Sequence, residues 1–92
     1  MKTIYKFPVT INEIATIPLP NHAEVLSFAI QNETLFIWVL LDPTKPKTVK
    51  RQFTVIGTGW EDRDKNLNQH KFIGTTFSEG NFVWHCFEIW KR

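Results

Sequence analysis

The sequence predicts an all-β chain, an antiparallel small sandwich or barrel of about six strands. Three observations carry that expectation. Short runs rich in β-branched and aromatic residues recur along the chain, bounded by Pro, Gly, Asn or Asp. No stretch shows a helical apolar period long enough to bury a face. Two runs, 34–41 and 82–90, are apolar on both faces, as strands are when a second layer of chain or another subunit covers them.

Each element follows from its residues. "TIYKFPV" at 3–9 alternates and is β-branched or aromatic, with Pro8 placing it at an edge or ending it. "ATIPLP" at 15–20 is extended, but its two prolines make it a poor central strand. "EVLSFAI" at 24–30 and "TLFIWVLL" at 34–41 flank Gln31, Asn32 and Glu33. Asn tolerates a left-handed backbone, so the pair reads as a hairpin with a tight turn. "DPTKPK" is a loop, and "TVKRQFTVIG" at 48–57 is the next strand. The polar stretch 60–69 has no apolar periodicity to bury and is expected to be one long loop. "HKFIGTTF" at 70–77, the turn "SEGN" and "FVWHCFEIW" at 82–90 complete the chain.

Ninety-two residues make a single domain, 1–92, with one core. Eight Phe and four Trp against one Tyr give a ring-rich composition, and rings left at the surface favour interfaces. A net charge of +2 is too mild for a nucleic-acid binder, which would show a basic stripe. The single Cys86 allows no internal disulfide and fits a reducing compartment. "MKTIYKFPVT" lacks an apolar leader, and "LFIWVLL" at 35–41 is far too short to cross a bilayer. A cytoplasmic protein without membrane contact is the expectation.

Strand 34–41 points Leu35, Ile37, Val39 and Leu41 one way, and Phe36, Trp38 and Leu40 the other. Strand 82–90 separates Val83, His85, Phe87 and Ile89 from Phe82, Trp84, Cys86 and Trp90. Phe36, Trp38, Trp84 and Trp90 therefore form the candidate interface, for a protein partner or for self-association.

A second set of residues breaks the pattern. Arg51 lies in the apolar row Val49–Arg51–Phe53–Val55 and needs an acceptor, either a carboxylate such as Asp42 or an anionic ligand. Gly57 and Gly59 flank Thr58 in "IGTGW", which is either a bulge or tight exit from the sheet, or an anion nest. "IGTTF" reads as a kink. Trp60, among Glu61, Asp62, Arg63 and Asp64, either folds back on the core or meets a ligand. Arg51, Gly57, Thr58, Gly59, Trp60 and Lys71 are thus a candidate site for an anionic small molecule or nucleotide. Neither GxGxxG nor a Walker lysine is present.

No metal or other cofactor is expected. His85 and Cys86 are adjacent and point to opposite faces, and His22 and His70 complete no zinc pattern. His85 is expected in the core with one nitrogen bonded, and the rings around Cys86 raise its pKa rather than lower it. Glu61, Asp62 and Asp64 lack the apolar surroundings that a general acid requires, so no catalytic residue is assigned. The leading expectation is a non-enzymatic binding protein. A nucleotide-sequestering protein and a small hydrolase or nuclease using His70 and His85 are the alternatives.

"TIYKFP", "LFIWVLLDP", "FTVIGTGW" and the closing "FVWHCFE" together resemble a family of short, uncharacterised bacteriophage-encoded proteins, along nearly the whole chain. That family has a Gly-Thr-Gly loop followed by histidine, and a C-terminal Val-Trp-His-x-Phe-Glu strand. Here Trp60 follows the loop, so a role for an imidazole at that position does not carry over. The resemblance implies a setting, a phage accessory factor made in the host cytoplasm, and implies no activity.

Overall fold

The computed structural model describes residues 1–62 and 65–90. Seven strands run in chain order: β1 (Thr3–Pro8), β2 (Ile14–Leu19), β3 (Glu24–Gln31), β4 (Thr34–Leu41), β5 (Val49–Gly57), β6 (Lys71–Ser78) and β7 (Phe82–Ile89). They form a three-stranded sheet β1–β4–β3 and a four-stranded sheet β2–β5–β7–β6, with every pair antiparallel. The sheets stay open rather than closing into a barrel, so the all-β sandwich expectation stands. The extra strand is the proline-containing β2. It pairs with β5 alone, at the edge of its sheet, where a missing N–H costs no ladder bond on the free side.

The hairpin β3–β4 turns over Asn32 (φ 51°) and Glu33 (φ 65°), closed by the pair Gln31–Thr34. Two left-handed residues in a two-residue loop match the right-handed twist of the strands. Asn suits the first position, whereas glycine is the usual residue at Glu33's position. The turn sets the phase of β4, whose Leu35, Ile37, Val39 and Leu41 are all buried. Ile17 and Leu19 of β2, Phe53 and Val55 of β5, Cys86 of β7 and Phe28 of β3 join them in one core. Fully burying each large apolar side chain stabilises the fold by about 1.5–3 kcal/mol.

Arg51 enters this core from the four-stranded sheet, and its partner is Glu88 rather than Asp42. Its Nε donates to Glu88 Oε2 at 2.6 Å and its Nη2 to Oε1 at 2.9 Å, while Nη1 donates to the Ala23 carbonyl. This forked pair holds the Arg51 pKa above its ordinary value, chiefly through the Glu88 hydrogen bonds. Asp42 instead accepts from Thr44 and the N-terminal amine, and the Thr44 bonds lower its pKa to about 2.

The strand order carries the chain from β5 past β7 to β6. The connecting stretch buries more than its polar composition suggested. Leu67, in the 3-10 turn Leu67–Gln69, is buried, as is Ile56 on the face of β5 opposite Val55. Asp62 accepts from the Leu67 amide at 2.9 Å, Lys65 donates to Asn12 Oδ1 at 2.8 Å, and the Trp90 amide donates to His70 Nδ1 at 3.1 Å. Arg63 and Asp64, expected among the charged neighbours of Trp60, lie outside the described residues. In β6 the register shifts between Phe72 and Gly74, the kink expected at "IGTTF". A Cβ on Gly74 would lie 3.6 Å from Phe28 Cβ, which marks where β6 and β3 meet.

Candidate functional site

The Gly-Thr-Gly-Trp segment leaves the sheet through a tight turn. β5 ends at Gly57, the Thr58 amide donates to the Val83 carbonyl at 3.0 Å, and the Trp60 amide donates to the Gly57 carbonyl at 3.1 Å. Gly59 has φ 85°, a conformation that side chains rarely adopt. Gly57 is glycine for another reason: a Cβ there would sit 2.9 Å from the Trp60 ring, which folds back over it. The Trp60 ring meets Trp84 edge-on at 5.4 Å, yet 45% of the residue stays exposed. Trp60 thus folds back onto Gly57 and Trp84 while keeping an open face. The amides of Thr58 and Trp60 are spent on carbonyls, which weakens the case for an anion nest.

Trp84 is the centre of this end of the molecule. It packs against the core, donates from Nε1 to Ser78 Oγ at 2.9 Å, and stacks with Phe82 at 5.8 Å. Two hollows share it as a wall. The larger, about 440 Å³, has Ile11, Ile30, Leu35 and Phe77 around it, with Asn32, Glu33, Ser78 and Glu79 supplying polar groups. The smaller, about 220 Å³, lies among Gly57, Thr58, Trp60, Asn81, Phe82 and Val83. Phe77 is 68% exposed and Phe82 56%. An apolar concavity with few polar groups is the usual form of a binding site.

His85 faces outward, not into the core, and both of its nitrogens are engaged. Nε2 lies 2.6 Å from Thr58 Oγ1 and Nδ1 3.0 Å from Thr75 Oγ1. A hydroxyl donates or accepts as required, so either tautomer satisfies this tie across the sheet. The spacing resembles a nucleophile–base pair, but neither the Thr58 nor the Trp60 amide is free to hold an oxyanion. His70 stands five residues before Thr75 along β6, about 17 Å at strand rise. It does not join His85.

The anion-site residues separate in the structure. Gly57, Thr58, Gly59 and Trp60 stay together, while Arg51 lies about 20 Å away along β5 and is held by Glu88. Lys71 Nζ sits 5.8 Å from the Trp90 ring centroid. The interface residues also divide. Phe36 and Trp38 share the outer face of the three-stranded sheet, half-buried and 5.9 Å apart, with Lys6 Nζ 4.5 Å from the Phe36 ring. Trp84 points inward and Trp90 lies at the end of the chain's last strand. Phe77 and Phe82 were missed by the sequence reasoning, although one signal was available: they bracket the Gly-containing turn Glu79–Asn81.

Burial pushes the Cys86 thiol up to about 12, so it is protonated and poorly nucleophilic at neutral pH. Among the described residues no three His, Cys, Asp or Glu side chains gather closely enough to hold a metal ion. No helix among them is long and apolar enough to cross a membrane.

The chain belongs to the family described as "Domain of unknown function (DUF7352)", which it matches over residues 1–92. No curated protein and no solved structure matches it.

Proposed function

We propose that this member of the DUF7352 family is a non-enzymatic binding protein that grips a protein partner through the aromatic end around Trp84. One observation carries the reading: exposed Trp60, Phe77 and Phe82 converge on half-buried Trp84, with a hollow on either side of it. Rings anchored in a packed base and ringed by polar groups are where compact interfaces concentrate their affinity. The anionic-ligand alternative loses support, because Arg51 and Lys71 sit apart from the glycine loop. The resemblance to phage-encoded proteins supplies the setting, an accessory factor acting on a host or phage protein in the bacterial cytoplasm.

Affinity capture from phage-infected cells tests this. Wild type and a Phe72→Ser control, altered at an exposed ring away from the site, should retain the same discrete protein, and Phe77→Ser/Phe82→Ser should lose it. A captured set unchanged by the double substitution would overturn the reading. Sedimentation of the purified chain covers self-association: a dimer dissociated by the same double variant would replace the foreign partner with a second copy.

A further inference from the structure

We infer that the larger hollow beside Trp84 recognises a cation, a primary ammonium carried on an aliphatic stem. This names the anchoring group of the partner proposed above, and it rests on that reading only for the ammonium's source. The volume, about 440 Å³, falls within the range of small-ligand sites, about 300–1,000 Å³. Its apolar surface comes from Ile30, Leu35 and Ile11, which suits a methylene stem. Phe77 and Trp84 add aromatic rings to the lining, and the negative quadrupole of a ring face attracts a cation.

Charge decides the sign of the ligand. The chain as a whole is +2, yet no lining residue of this hollow is basic and two, Glu33 and Glu79, are acidic. Neither pairs with a cation among the described residues. An anion would meet two carboxylates here and an ammonium would be held by them. Glu33 also occupies the left-handed turn position that glycine fills most easily, at φ 65°. The turn would be less strained with glycine and would then lack one of the two carboxylates.

Calorimetric titration of the intact chain tests the inference with hexylamine, the tripeptide acetyl-Gly-Lys-Gly-amide, and hexanoate as the isosteric anion. The ammonium probes should bind, with hexanoate about tenfold weaker or worse. Glu33→Gln and Glu79→Gln should each weaken hexylamine about three- to fivefold. Glu33→Gly should weaken it equally while raising Tm, a pairing that a purely structural role for the side chain does not produce. Binding of the tripeptide assigns the ammonium to a lysine side chain, and binding of hexylamine alone assigns it to a free amine. Hexanoate binding as tightly as hexylamine, or neither ammonium binding, overturns the proposal. Partner capture by Phe77 and Phe82 is read separately, so the two readings fail independently.

Discussion

Gly57 shows how a residue can be conspicuous in a sequence for a reason the sequence hides. The "IGTGW" glycines mark an exit from the sheet, but only the folded chain reveals that the Trp60 indole lies on Gly57. Gly57→Ala should destabilise by about 1–3 kcal/mol through overpacking, and Trp60 should shift to longer emission wavelength as it leaves Trp84. Denaturant unfolding followed by fluorescence reads both. Thr54 was not distinguishable from its neighbours in the sequence, yet its buried hydroxyl has no hydrogen-bond partner. Thr54→Val keeps the shape and removes the unpaired group, so stability should rise by about 1 kcal/mol, or about 4–8 °C in Tm. Cys86 behaves as its ring neighbours suggested. Its thiol is held at about 12, above the ordinary 9.0, so its share of stability is intact below pH about 9 and is lost as pH rises toward 12. Unfolding free energies from urea titrations across that window should fall less steeply for Cys86→Ala, by at most about 1.4 kcal/mol per pH unit.

At the scale of strands, the alternation of period two separated the faces, and the inward row of β4 is the aliphatic one the residues indicated; in β7 the faces are reversed, with Trp84 and Cys86 inward and His85 outward. Partners were harder, because cross-strand register depends on turns and bulges that composition does not determine. Arg51 was visibly in need of an acceptor. Glu88, in the inward row Trp84–Cys86–Glu88, became identifiable once Phe53 was seen opposite it. Arg51→Met should cost about 2–4 kcal/mol, because it strands a buried carboxylate and because Arg51 keeps some solvent contact. Arg51→Met/Glu88→Leu should recover most of that loss, as thermal unfolding of the two variants will show. The stretch 60–69 illustrates the opposite failure. A lone Leu67 has no periodicity to announce it, yet it is buried in the stretch that carries the chain from β5 to β6.

For the whole molecule, the all-β sandwich followed from short strands at regular spacing, whereas the strand order did not. That order brings the β3–β4 turn, the β6–β7 turn and the exit from β5 to a single end. Residues far apart in sequence, Glu33, Trp60, Phe77 and Trp84, therefore become neighbours of the two hollows. Site-specific photo-cross-linking in infected cells tests this placement most directly, with a photoreactive residue at position 77 or 82 and, as a control, at position 36 on the outer face of the other sheet. Discrete adducts from 77 and 82, with none from 36, are the predicted result. Adducts from 36 alone, or from no position, would contradict it.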